Sequence, residues 1–201
     1  MSNLGISDFY KTATTFGFAR SNLYRLENIT NDIYTPDDTG NLYLYLQGGT
    51  IPSRLIGTTR VVHKSFTYNV PTVASYPESI SWSVDFSCDR DYKLRNIFEK
   101  WSVETFDEHT SLTSSLGKWW DCDVVISLLD NFTSAEAKNV GAERTPVSRE
   151  NMQVIRKYTL KGVFPVQIGA MSYSTAGGGD IVKVPVTLGF QYIVSEDLAQ
   201  S

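Results

Sequence analysis

From Ile181 to Val194 the side chains alternate without a fault. Val182, Val184, Val186, Leu188, Phe190, Tyr192 and Val194 fall on one side, and Ile181, Lys183, Pro185, Thr187, Gly189, Gln191 and Ile193 on the other. A period of two is the signature of an extended strand, so a chain carrying this run must build a sheet. A second run repeats the pattern: Ile80, Trp82, Val84, Phe86 and Cys88 alternate with Ser79, Ser81, Ser83, Asp85 and Ser87. Ile80, Trp82, Val84 and Phe86, with Val186, Leu188 and Phe190, are the expected strand contribution to the core. Pro185 has no N–H to give to a ladder, so it marks an edge or a bulge.

Shorter strand signals surround these two. Leu42, Leu44 and Leu46 alternate with Tyr43 and Tyr45; Phe66, Tyr68 and Val70 with Thr67 and Asn69; Tyr158 and Leu160 with Thr159 and Lys161. The stretch 124–129 is apolar and of strand length, and 24–29 is a weaker candidate. One helix interrupts the strands, expected over 89–103. Asp89 serves as its N-cap, Asp91 adds charge to its first turn, and Leu94, Ile97, Phe98 and Trp101 form a stripe at helical spacing. A short helix over 7–14 is expected near the N-terminus, with Phe9 and Tyr10 as its contacts. Two long connections remain, 47–64 with Gly48, Gly49, Pro52 and Gly57, and the polar 131–151. Many strands with few helices between them give a mainly β fold with one packed helix, an antiparallel sandwich or barrel in a single domain over 1–201.

Composition excludes several classes. Among 201 residues there are 4 Trp, 11 Tyr and 10 Phe, too many aromatics for a disordered chain. Lys and Arg number 18 against 22 Asp and Glu, so no basic face for nucleic acid is expected. Residues 1–20 lack a basic start and an apolar stretch, so no secretory signal is expected, and no membrane span or anchor either. Two cysteines, Cys88 and Cys122, are no disulfide framework, and reduced thiols are expected. With His63 and His109 they show no metal-ligand spacing.

A search for catalysis finds no site. Gly177-Gly178-Gly179-Asp180 lacks the GK[ST] of a phosphate loop and reads as a turn between strands. His109 near Glu104, Asp107 and Glu108 reads as solvated loop charge, and His63 beside Lys64 as a surface histidine. Asp121 and Asp123 lack the further oxygens of a calcium loop. No catalytic residue, metal or cofactor is expected.

Surfaces carry more. The serine-rich face of 79–87 fits a solvated sheet, packing under a loop, or a channel or subunit surface, and the sequence leaves these open. Tyr43, Tyr45, Ile181 and Ile193 lie on second strand faces that a small monomer would leave half wet. A neighbouring subunit or a larger two-layer core would bury them. Lys157 and Lys161 are candidates for guarding a strand edge.

These residues resemble the tail tube protein family of contractile-tailed bacteriophages. Phe18-Ala19-Arg20-Ser21-Asn22-Leu23-Tyr24 is similar to that family's FARPNLF opening, with Ser21 in place of proline. Ile51-Pro52 resembles its strand-to-loop step and Trp82-Ser83-Val84-Asp85-Phe86 its W-x-V-x-[FV] strand. Glu99-Lys100-Trp101 resembles its helix end, Leu160-Lys161-Gly162-Val163-Phe164-Pro165 its I-K-G-[LV]-[WF]-P motif, and Val186-Thr187-Leu188-Gly189-Phe190-Gln191-Tyr192 its closing strand. The segments 28–41 and 107–120 look longer than the family's usual connections.

The resemblance implies a structural virion protein that forms homo-hexameric rings. These stack into the tube inside a contractile sheath, and DNA passes through it without sequence-specific binding. Its implied partners are itself, the sheath, the baseplate hub and the tape-measure protein; its place is the virion, and the host cytoplasm during assembly. By the same resemblance Gly48, Gly49, Ile51, Pro52, Arg54, Leu55, Ile56 and Arg60 belong to a ring-stacking loop over 47–64. Leu42, Leu44, Leu46, Phe66, Tyr68, Val70, Tyr158, Leu160 and Phe164, with 124–129, belong to strands of an inner barrel closed between subunits. The helix, with core residues Leu94, Phe98 and Trp101, packs outside that barrel. Deleting residues 49–59 is then expected to leave a folded subunit unable to extend tubes. Two alternatives remain: a baseplate ring or the tube of a type VI or contractile injection system, and, in another class, a monomeric barrel holding a ligand in its mouth.

Overall fold

A computed structural model describes residues 6, 19–30, 46–110, 112–113, 122–130, 152–173 and 179–198. Its strands are β1 (Tyr24–Thr30), β2 (Leu46–Gly49), β3 (Leu55–His63), β4 (Phe66–Ser75), β5 (Trp82–Ser87), β6 (Phe106–Asp107), β7 (Leu112–Thr113), β8 (Asp123–Leu129), β9 (Val154–Lys161), β10 (Phe164–Ile168), β11 (Lys183–Gly189) and β12 (Tyr192–Asp197). Helix α1 (Lys93–Thr105) lies between β5 and β6. One four-stranded sheet has the order β1-β8-β9-β12 and a second β10-β11-β5-β2; β3 and β4 form a two-stranded sheet of their own, as do β6 and β7. All the pairings in the second sheet and in both hairpins are antiparallel. This is the mainly β fold with a packed helix that the sequence implies. The expected strand positions Leu42 and Leu44, with Tyr43 and Tyr45, lie outside the described residues, as do 7–14, 131–151, Gly177 and Gly178.

The chain divides into two compact units. The smaller takes 1–25, 127–157 and 196–201. Within it the backbone pairs Leu129 N–H with the Leu23 carbonyl (3.1 Å), Asp130 with Gln153 (2.8 Å) and Leu198 with Ile155 (2.9 Å).

The larger unit, 26–126 and 158–195, holds the core. Leu26, Ile29, Trp82, Val84, Phe86, Val124, Ile126, Leu160, Val163, Val184, Val186, Leu188 and Phe190 pack there with Leu94, Phe98, Trp101 and Cys122. Each large side chain so buried contributes about 1.5–3 kcal/mol. The helix joins this core through aromatic contacts, tilted between Phe86 and Phe98 and stacked between Phe98 and Trp101. Phe86 and Phe98 have centroids 5.3 Å apart, and Phe98 and Trp101 6.1 Å apart. The spacing Leu94, Phe98, Trp101 was therefore the signal of the buried stripe; Ile97 is only half-buried.

Several expectations need correction. Ile80 is not core: it is 69% exposed. The chain turns before β5, with Ser79 N–H bonded to the Tyr76 carbonyl (3.0 Å) and Ser81 N–H to that of Glu78 (3.1 Å), so the alternation ran two residues past the strand. The helix begins at Lys93, not 89. Asp89 still caps it from outside, its carboxylate accepting the N–H groups of Lys93 and Leu94 at 3.0 Å each. Tyr92 stands at the N-cap with φ 56°. Asp91 precedes the first turn. The segment 47–64 is a loop only over 50–54, because β2 runs to Gly49 and β3 begins at Leu55. Lys157 and Lys161 guard no edge: β9 is paired on both sides, and Lys161 forms an ion pair with Asp123.

The run 181–194 is two strands in two sheets. It breaks at Phe190 and Gln191, whose N–H groups bond to the carbonyls of Ser79 (2.7 Å) and Lys161 (2.9 Å). Pro185 sits in an inner strand opposite Asp85, and at the Gly169 carbonyl the bond that its missing N–H would give is replaced by one from Arg95 Nη1 at 3.2 Å. Its carbonyl accepts from Gly169 (2.7 Å), just past the last β10 pair, Ile168 with Val186. A strand residue's N–H and carbonyl point the same way, so the absent donor faces the end of β10. The bulge in that ladder lies between Pro165 and Gln167, opposite Leu188 and Thr187, so Pro185 marks neither an edge nor a bulge.

The Lys161-Gly162-Val163-Phe164-Pro165 motif carries the chain from one sheet to the other. Gly162 supplies a positive φ of 66°. Val163 is fully buried, and its N–H bonds to the Cys122 carbonyl at 2.8 Å. Phe164 then starts β10.

Candidate assembly interface

The β3–β4 hairpin stands apart from the rest of the larger unit. Its register runs from Leu55 opposite Ser75 to His63 opposite Phe66, with a two-residue turn at Lys64 and Ser65. Every side chain from 58 to 75 is exposed. Alternation and register together sort these side chains onto two faces. Leu55, Val61, Phe66, Tyr68, Val70 and Val73 share one face; Arg60, Thr67 and Asn69 share the other with Ile56 and Val62. A bulge where Gly57 gives way to Thr58 keeps the faces in phase, and Thr72 Oγ1 donates to the Gly57 carbonyl there at 3.2 Å. Bulges add twist and bend to a ribbon.

An isolated two-stranded hairpin is marginal in water. This one also shows water its apolar face: Phe66 is 66% and Val73 62% exposed. Such a surface is what a partner covers. Its root is tied to the body. Ser53 donates to the Glu78 carboxylate from its N–H (3.1 Å) and its hydroxyl (2.9 Å). These bonds, the Ser53 hydroxyl first, hold the Glu78 carboxyl below its usual range. The Trp82 indole donates to the Thr50 carbonyl at 2.6 Å, and Pro52 between them is buried.

Of the expected stacking-loop residues, Gly48 and Gly49 lie in β2, Ile51, Pro52 and Arg54 precede β3, and Leu55, Ile56 and Arg60 lie in it. The expected inner-barrel residues do not share one sheet. Leu46 is in β2, beside β5; Phe66, Tyr68 and Val70 are in the hairpin; Tyr158 and Leu160 are in β9; and Phe164 is in β10. Leu160 is a core residue with no exposed surface. Sequence reasoning missed that 55–63 is a strand and the partner of 66–75. The signal lay in Val61-Val62 and Phe66–Val70 across a short polar turn.

The polar face of β5 is solvated here, with Ser83 and Asp85 exposed. The features considered for catalysis are local. Asp107 accepts from His109 N–H and the Thr110 hydroxyl, both at 2.9 Å, in an exposed turn. Neither Cys88 nor Cys122 forms a disulfide, and burial pushes the Cys88 thiol up. Among the described residues no group of His, Cys, Asp and Glu could hold a metal ion, and no helix is long and apolar enough to cross a membrane.

Three cryo-EM structures share the fold. A chain of the anti-feeding prophage baseplate, 6-fold symmetrised, matches with TM-score 0.56 and 13% identity, covering 92% of this chain and 98% of that one. A chain of that prophage's tube-terminating cap matches at 0.54 and 10%, covering 90% and 91%. A chain of the sheath–tube complex of an extracellular contractile injection system (PVC), in the extended state, matches at 0.51 and 10%, covering 94% and 97%. No curated protein matches by sequence. The sequence model of the phage tail tube protein family matches residues 10–195, most of the chain. The chain therefore belongs to the phage tail tube protein family and is a structural tail component, not an enzyme.

Proposed function

We propose that the protein is the repeating subunit of a tail tube, in which homo-hexameric rings stack into a hollow conduit for DNA. The observation that carries this is the β3–β4 hairpin, whose apolar face is exposed in the protomer. A head-to-tail contact between copies covers that face, and such contacts close into rings when the rotation allows. The 6-fold symmetry of the baseplate assembly that shares the fold supports six subunits. Closure between protomers gives the strands around Leu46, Phe66–Val70, 124–129 and Tyr158–Phe164 an inner barrel, and places 47–54 with the hairpin between stacked rings. A net charge of −4 suits a conduit that DNA crosses without being held. The sheath, baseplate hub and tape-measure protein are its proposed neighbours, and the host cytoplasm its place of assembly.

A second reading, a baseplate ring, is favoured by the match to a baseplate chain. Negative-stain electron microscopy of the purified chain at rising concentration separates the two. Long hollow tubes are expected. Single rings that stop growing would assign it to the baseplate, and monomers at every concentration would remove the assembly reading.

A further inference from the structure

The hairpin leaves the body through a root tied at both strands. Ser53 lies two residues before β3 and Glu78 three residues after β4, so their bonds close the loop at its base. One turn of chain further out, Trp82, itself 2% exposed, holds the Thr50 carbonyl. The incoming chain is thus fixed at 50–53 and the outgoing chain at 78–82, while nothing from 58 to 75 is buried.

The Ser53–Glu78 bonds lie at the surface, where hydrogen bonds and charge add little to folding stability. They do restrict the direction in which the hairpin points. An arm that swings at its root must lose that freedom at each docking event; an arm fixed beforehand binds with a smaller entropic penalty. We infer that Ser53 and Glu78 are positioning residues for assembly, holding the hairpin at the angle at which its apolar face meets a second copy of this chain. The inference rests on the reading of the hairpin as an assembly arm. Ser53 supplies two donors to a single carboxylate, so one side chain at each strand end suffices to lock the root. Thr at position 53 keeps both donors, and Ala keeps only the N–H.

The test uses the full chain in five forms: unaltered, Ser53→Ala, Glu78→Ala, Ser53→Thr, and the double variant Phe66→Ser with Tyr68→Ser. Light scattering, checked by electron microscopy, gives the concentration for half-maximal assembly. The thermal midpoint of dilute, unassembled protein is measured alongside. Ser53→Ala and Glu78→Ala are expected to raise the assembly threshold about three- to tenfold, with midpoints within about 2 °C of the unaltered protein. Ser53→Thr should assemble at the unaltered threshold. Unchanged thresholds in both the Ala variants overturn the positioning role and leave the assembly arm standing. A raised threshold matched by a large fall in midpoint overturns it as well, since general destabilisation then explains it. Normal assembly of the Phe66/Tyr68 variant overturns the assembly arm and the positioning role together.

Discussion

The ring of Phe164 lies on the backbone of Gly189. The two residues are opposite each other in the β10–β11 ladder, and a Cβ at Gly189 would meet Phe164 Cζ at 2.6 Å and both neighbouring ring carbons at 3.0 Å. An aromatic side chain laid over a strand glycine covers backbone that would otherwise be bare. The arrangement joins two of the segments that carry the family resemblance, one ending in Phe164-Pro165 and the other containing Leu188-Gly189-Phe190.

Gly189→Ala is therefore expected to destabilise the protein by about 1–3 kcal/mol, since the ring must leave its place. In a Phe164→Ala background the same change should cost much less. A double-mutant cycle in urea unfolding measures the difference. Equal costs in the two backgrounds would show that the contact does not set the preference for glycine.

Much of the fold was legible in single residues. Trp82, Val84 and Phe86 alternate because β5 buries one face only, and Leu94, Phe98 and Trp101 are spaced as they are because α1 buries one stripe. Legibility fails where the physics is not periodic. Ile80 keeps the parity of the strand although hydrogen bonds to Tyr76 and Glu78 have already turned the chain. Tyr192 and Val194 keep the parity of Val184, Val186 and Leu188, but the break at Phe190 and Gln191 moves them to another sheet and leaves them exposed. The hairpin was half read. β4 shows its alternation, whereas β3 carries Leu55-Ile56 and Val61-Val62, apolar on both faces, because neither face packs within the protomer. A surface that packs on nothing within the protomer has no core of its own to print a pattern in the sequence.

Glu78 provides a pH test of the root. Its carboxyl is held low first by the Ser53 hydroxyl, then by its own backbone N–H. A lowered folded value means that the charged form is favoured by folding. The contribution is fully present above the ordinary carboxylate range and is lost as pH falls through the lower folded value. A carbon-13 NMR titration of unassembled protein should show Glu78 titrating below the ordinary carboxylate range. Ser53→Ala should bring it up toward that range. An unaltered midpoint in Ser53→Ala would exclude the hydroxyl as the main cause.

Lys64 opens the two-residue hairpin turn with φ 54°. A left-handed conformation costs a residue with a Cβ about 1–2 kcal/mol, while glycine loses about 0.5–1 kcal/mol through the freer unfolded chain. The first effect wins, and Lys64→Gly should strengthen the hairpin by about 0.5–1 kcal/mol. The gain is local, so amide hydrogen exchange in β3 and β4 is the readout: exchange there should slow several-fold while the global melting point stays put. Faster exchange would mean that the lysine side chain contributes more than its backbone costs.

The two faces of the hairpin make opposite predictions. Phe66, Tyr68 and Val70 share the apolar face, while Thr67 and Asn69 share the other. All five are exposed in the protomer, so none of them supports the core, and serine at any of them should leave the melting point within about 2 °C. Assembly should distinguish them sharply. Burying a large apolar side chain is worth about 1.5–3 kcal/mol, so Phe66→Ser or Tyr68→Ser should raise the assembly threshold at least tenfold. Thr67→Ser and Asn69→Ser should change it less than twofold. Sedimentation of assembled material at a series of concentrations gives all four thresholds. Equal effects on the two faces would show that the hairpin does not dock through Phe66 and Tyr68.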